Sequence, residues 1–321
     1  MKKTTQRLVN PFEYSDTNKR YYTFEYFCRK KYGGRCVKIP LDAGFTCPNI
    51  DGTCGHGGCI YCSPRGSGDS IPEMLSVREQ YNAGRAAMSA KWDVSRCIPY
   101  FQAHTNTYAP TYVLSRLFNE ALTYDSAIGL DIATRADCLP PDVCALLAEI
   151  AEKTDLTVEL GLQSSNDDTA RLIGRGHDFA AFRDGYARLR AASDKISVCV
   201  HIILGLPGED DEMMMQTVRD TAELHPEFVK LHLLHVLSDT ALSCMYRDGR
   251  YTPLTEEHYV SLVVSALDLL PPDTVIARLT GDGMANSLEA PLWSTRKIAV
   301  INDIDKLMYA RNTFQGRLWR G

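Results

Sequence analysis

The 321-residue chain has no uncharged apolar run near the roughly 20 residues that a membrane-spanning helix needs. It has no low-complexity tract, and its charged fraction is ordinary at 23%, so wholesale disorder is not expected. It has no excess of positive charge either. The formal net charge is −5, which gives the chain as a whole no attraction for nucleic acid or membranes, although a local patch remains open. The opening stretch through Tyr22 carries basic residues with no apolar core behind them, so no secretory leader is expected and the protein is placed in the cytoplasm. Thiols stay reduced there, so its eleven cysteines are not expected to form disulfides.

Hydrophobic residues make up 45% of the chain, enough for a large core. Strand-like and helix-like stretches alternate. Strands are expected at 37–45, 96–104, 127–135, 156–164, 195–210 and 227–237, with a short late strand at 274–280. Helices are expected at 72–90 (opening at Pro72), 110–123, from Pro140–Pro141, 167–192, 211–224 and 255–269. Six strand–helix units indicate an α/β fold built as a partial (β/α)6 barrel, with an open doubly wound sheet as the alternative. The expected division is an N-terminal arm (1–34), a core barrel (35–270) and a C-terminal extension packed on it (271–321). In such folds the site lies at the C-terminal ends of the strands. Polar residues do gather there, at 102–106, 134–137, 163–165, 205–209 and 232–235.

Cys97, Cys138, Cys144, Cys199 and Cys244 sit in or beside apolar segments and read as small hydrophobes. Four others crowd into Cys47-Pro-Asn-Ile-Asp-Gly-Thr-Cys-Gly-His-Gly-Gly-Cys-Ile-Tyr-Cys62. Soft thiolates in such a loop bind zinc or an iron–sulfur cluster. For zinc, Cys54 or His56 would supply the fourth ligand. A thioredoxin-type pair at Cys59 and Cys62 is a third reading, disfavoured by the distant Cys47.

Placed after the first strand, this loop resembles that of the radical S-adenosylmethionine (SAM) superfamily. Its eleven-residue gap resembles the YhcC-like branch, related to the Elongator catalytic subunit, whose loop runs CPN-DG--G-GGC--C. The resemblance covers roughly residues 35 to 317. It implies a [4Fe–4S] cluster on Cys47, Cys59 and Cys62, with the fourth iron left for SAM and Cys54 a spectator. It places Tyr61 beside the cofactors. The 100–110 segment looks like the family's second-strand motif, so Gln102, Thr105, Asn106 and Thr107 would receive the methionyl ammonium. Val158–Ser164 looks like the fourth-strand motif, with Gln163 on the SAM ribose and Glu159 facing the cavity. Arg175, in a segment similar to the family's R-NRGHD, would hold the methionine carboxylate. Gly205, in Gly205-Leu-Pro-Gly-Glu209, would support the adenine, and His201 would lie near the ribose.

One departure is Ala133-Thr-Arg-Ala-Asp137, which stands where relatives carry Glu-Thr-Arg-Pro-Asp. It removes a ribose contact that Asp131 or Glu159 would have to supply. Lys230 and His232 share a strand face and match the family's K-H-LH pattern, as residues that hold substrate or pass protons.

The implied function is reductive cleavage of SAM to methionine and a 5′-deoxyadenosyl radical that takes hydrogen from RNA or a small metabolite. It calls for an electron donor such as flavodoxin or ferredoxin. Elongator-like relatives act on tRNA, and Arg29, Lys30, Lys31, Arg35 and Lys38, with Tyr21, Tyr22 and Tyr32, form a basic, aromatic stretch that would suit RNA. The alternative is a non-catalytic binding module stabilised by zinc or an iron–sulfur cluster.

Overall fold

A computed structural model describes residues 10–66, 68, 71, 75–281 and 286–321. Seven strands form one parallel sheet in chain order, except that a two-residue strand intervenes in the sequence. They are β1 (Val37–Leu41), β2 (Cys97–Phe101), β3 (Gly129–Thr134), β4 (Asp155–Gln163), β5 (Ile196–Leu204) and β6 (Phe228–Leu233), then β8 (Val275–Arg278). The short β7 (Val236–Leu237) pairs antiparallel with β9 (Leu288–Ala290) beside the sheet.

Their order follows from the sequence. Apolar, β-branched segments alternate with amphipathic helices, and each helix returns the chain to lie parallel beside the previous strand. The helices are 77–89, 111–121, 141–151, 179–192, 211–224 and 256–269, with a short one at 167–172. Pro72, expected to open the first of these, lies outside the described residues. Segment 167–192 divides into two helices at Gly174 and Gly176, both with positive φ, and Arg175 lies between them.

The sheet is strongly curled. Lys230 Nζ on β6 lies 3.2 Å from the Tyr100 hydroxyl on β2. Four strand spacings in a flat sheet would put them about 19 Å apart. The outer face of the sheet packs on the helices through Leu130, Ile132, Leu160, Val198 and Val229, all essentially inaccessible to solvent. The curl leaves a narrow interior. The late strand expected at 274–280 belongs to this barrel sheet as its seventh strand, so the barrel has one more strand than the six expected.

The N-terminal segment closes the exposed edge and the floor. Ile276 N donates to Tyr22 O at 2.7 Å, which occupies the free edge of the last strand. A helix at Phe24–Tyr32 then lays Phe24 and Phe27 against Phe228, Val275 and Cys199 at the N-terminal ends of the strands. A final helix, Lys297–Ala310, packs on the 256–269 helix.

This placement changes the reading of the basic stretch. Arg29 forks onto Asp16 (2.9 and 2.7 Å), Lys31 meets Asp155 (2.6 Å), and Arg35 meets Glu25 (3.1 Å) and stacks on Trp92. Lys38 points into the barrel. Local carboxylates neutralise most of the stretch, and it lies at the end opposite the cysteine loop. No helix among the described residues is long and apolar enough to cross a membrane.

Candidate functional site

The cysteine loop leaves the C-terminal end of β1 and folds back on itself through turns. Ile50 N donates to Cys47 O, Gly58 N to Asn49 O and Cys62 N to Cys59 O. Asn49 anchors it. This residue is 1% exposed, and its amide donates to Gly174 O and Arg175 O, each at 2.8 Å, and to Cys59 Sγ at 3.4 Å. A Cβ at Gly176 would collide with the Asn49 amide, so the close approach requires glycine there. Arg135 closes the other side. It forks onto Asp137, donates to Arg175 O at 2.9 Å and reaches 3.9 Å from Cys47 Sγ.

Thiolate formation is favoured at Cys59, whose pKa is pushed down to about 5 by the hydrogen bond with Cys62, aided by Arg175, Asn49 and Arg135. Cys62 takes the opposite shift as the proton-holding partner. Tyr61 packs beside them with Ile173 and Leu206, and burial raises its phenol pKa well above the ordinary value.

Arg175 is the most telling side chain. It is 6% exposed, one Nη donates to Gly161 O, and its Nε has no partner. Among the described residues it forms no ion pair. A buried guanidinium beside thiols and without a carboxylate suits an anionic group delivered by a ligand. Gln163 sits next to it with φ +73°, a left-handed backbone unusual for a side-chain-bearing residue, where the β4–β5 register slips. The two-residue alternation that puts Glu159 and Gly161 on one face of β4 therefore breaks at Gln163. A Cβ at Gly161 would lie 2.6 Å from Gln163 Nε2 and 3.1 Å from Arg175 Nη2, so this glycine makes room for the chain's own side chains.

The β2 motif serves partly as scaffold. Asn106 donates to the carbonyls of Phe101, Ala103 and Ala133, and Thr107 Oγ1 bonds Thr134 and Cys138 O. Thr105 is buried, and Gln102 is half-buried at the strand end. The Cβ side of Gly205 faces Leu254, and its carbonyl accepts from Tyr251.

Below the loop lies an ionic layer. Glu159 is fully buried and accepts from Lys38 (2.9 Å), Tyr100 (2.5 Å), His201 (2.9 Å) and Lys230. Lys38 also pairs with Asp131. Glu159 is taken up by its four donors, Asp131 has Lys38 as its ion-pair partner, and Arg135 pairs with Asp137. Glu159 is held ionised, well below the carboxylate range, because Lys230, Lys38 and His201 outweigh its burial. Burial and the Lys230 charge push His201 down to about 4. His232 lies 5.3 Å from the His201 ring and is lowered further, chiefly by burial. Both imidazoles are neutral near pH 7.

The loop's spacing bears on zinc. A tetrahedral site with Zn–S bonds of about 2.3 Å needs sulfurs about 3.8 Å apart. Among the described residues, the one group of three or more donors with ligand atoms within 4.8 Å of one another is Glu159, Cys199 and His201. There Lys38 and Lys230 already neutralise the carboxylate. The cysteine loop is instead an open set of three thiols facing two guanidinium groups, with Cys54 exposed beside it. Such a set fits a cluster that keeps one iron for another ligand.

The chain belongs to the radical SAM superfamily: the family profile of that description matches residues 50–221, and its C-terminal domain profile matches 226–310. Members use a [4Fe–4S] cluster and SAM. Within the superfamily it falls in the YhcC-like branch. It is 44% identical to the protein YtqA of Bacillus subtilis over 97% of this chain and 96% of that protein. It is 32% identical to YhcC of Escherichia coli over 90% and 94%. In fold it matches the Elp3 structure of the archaeon Methanocaldococcus infernus, with TM-score 0.62 and 16% identity, over 87% of this chain. It spans 64% of that chain, less than two thirds.

Asn49 was not expected as a site residue, and Arg135 and Asp137 were expected only as polar residues at the end of the third strand. Asn49 stood in the Cys47-Pro-Asn motif and Arg135 in the third-strand motif, but their shared target, the Arg175 carbonyl, is distant in sequence.

Proposed function

We propose that the chain is an enzyme that carries a [4Fe–4S] cluster on Cys47, Cys59 and Cys62 and binds SAM across the mouth of the barrel. When bound and reduced, the cluster supplies the electron that splits SAM into methionine and a 5′-deoxyadenosyl radical, which takes hydrogen from the substrate. The chain's residues do the rest. Asn49 and Arg135 fix the loop and direct N–H groups at two of the thiolates. Arg175 takes the methionine carboxylate, with Gln163 beside it on the ribose. The ends of β2 and β5, from Gln102 to Thr107 and around Gly205, line the ammonium and adenine sides. Lys230 and His232, with His201, face the interior where substrate would enter, and the curled sheet and its aromatic floor exclude water.

The observation that carries this reading is the buried Arg175, with no acidic partner among the described residues, next to three thiols on one loop. The electron donor is a protein such as flavodoxin or ferredoxin, acting in the cytoplasm. The substrate is RNA or a small metabolite, and the Elongator relationship favours tRNA. The neutralised basic stretch lends RNA no support, so an RNA substrate would meet the barrel at its open mouth.

Anaerobic reconstitution followed by dithionite and SAM tests the proposal. A brown protein with about four irons per chain that forms 5′-deoxyadenosine is expected. A colourless, air-stable protein that forms none would mark a binding module instead.

A further inference from the structure

The ionic layer balances its charges with one exception. Lys38 and Lys230 meet Glu159 and Asp131, two cations against two anions. The remaining charge is Arg278 at the end of β8. It stands opposite Lys230 in the sheet register, at an irregularity where the pairing skips Ala277. Its charge acts on Tyr100, His201, Lys230 and His232, which places it on the interior side of the sheet. It is half-buried, and among the described residues it makes neither an ion pair nor a hydrogen bond.

His232 is the second group with capacity to spare. It lies one strand over from Arg278, two residues beyond Lys230 towards the mouth, and its buried Nε2 has no hydrogen-bond partner. A Cβ at Gly281 would lie 3.6 Å from His232 Nδ1 and 3.2 Å from His235, so the wall beside it is closely fitted. A partly desolvated guanidinium with no acid among the described residues and a neutral imidazole with an idle nitrogen together describe a cradle for an anion.

We propose that Arg278 and His232 form a subsite in the barrel interior that holds an anionic group, a carboxylate or a phosphate, of the molecule the enzyme acts on. Arg278 supplies the charge and a two-pronged donor, and His232 donates through its free nitrogen. Glu159 keeps Lys230 occupied, so the two carboxylates below do not compete for Arg278. The subsite rests on the reading of the barrel interior as the substrate chamber, but its anion chemistry is independent of the cluster.

Isothermal titration of the reconstituted full-length protein with acetate, with inorganic phosphate and with neutral acetamide tests it. Saturable binding of acetate or phosphate but not acetamide is expected, and the preferred anion tells carboxylate from phosphate. Arg278→Gln should weaken that binding at least tenfold, and Arg278→Lys, which keeps the charge, should recover part of it. Absence of anion binding by the unaltered protein, or equal binding by Arg278→Gln, would overturn the proposal. The unaltered protein should form 5′-deoxyadenosine from SAM and dithionite in the same preparation. If the unaltered protein forms none yet binds anions through Arg278, the SAM reading fails and the subsite stands.

Discussion

The mouth of the barrel and the ionic layer beneath it are both rich in buried polar groups, yet they are built on opposite principles. In the layer, one carboxylate, Glu159, accepts from four side chains supplied by β1, β2, β5 and β6. At the mouth, donors outnumber acceptors: Arg175 has no acid among the described residues and Gln163 is held in a left-handed backbone. Saturated charges tie strands together. Unspent donors indicate where a ligand completes the structure.

Substitutions separate the two regions. The largest expected effect is at the thiols. Cys47→Ala, Cys59→Ala or Cys62→Ala should each reduce cluster iron after anaerobic reconstitution to background, while Cys54→Ala should retain it, as an iron assay and the visible spectrum would show. Next comes the layer. Glu159→Gln leaves Lys230 and Lys38 buried with one carboxylate between them, and breaking such a pair costs about 3–5 kcal/mol. Arg175→Gln should cost less than half of that in urea unfolding while weakening SAM binding at least tenfold. Equal stability losses for the two would erase the distinction between scaffold and site.

Acid should act on the layer in a definite window. His201 has a folded pKa lowered from 6.5 to about 4, so the unfolded chain binds its proton more readily. Its contribution is therefore fully present above about pH 6.5 and is lost as pH falls towards 4, on the order of 1–3 kcal/mol. Unfolding free energies across that range should fall in the unaltered protein and fall less steeply in His201→Gln. The smallest effect is at Gln163. Gln163→Gly removes the left-handed strain and should raise stability by up to about 1 kcal/mol, while SAM binding weakens.

The strand order and most of the helices were legible because alternating apolar runs and amphipathic stretches are local signals. The 167–192 segment reads as one helix since its Gly174-Arg-Gly176 break is short, and only the fold shows that the break docks on Asn49. The seventh strand was visible as a strand, but its place beside β6 depends on pairing at long range. The three thiols were singled out by spacing and resemblance. Partners were not: Lys38 reads as part of a basic arm, yet β1 carries it inward to Glu159, 121 positions away. Arg278 gave no motif, and the role proposed for it rests on the absence of an acid among the described residues, which appears only once the strands are placed.

The central claim is that the three thiols carry a cluster whose open iron faces SAM under Arg175. Electron paramagnetic resonance of the reconstituted, dithionite-reduced protein tests it directly. Adding SAM should shift the cluster's g-values in the unaltered protein and do so at least tenfold less effectively in Arg175→Gln. A cluster signal that SAM leaves unchanged in the unaltered protein would contradict the account.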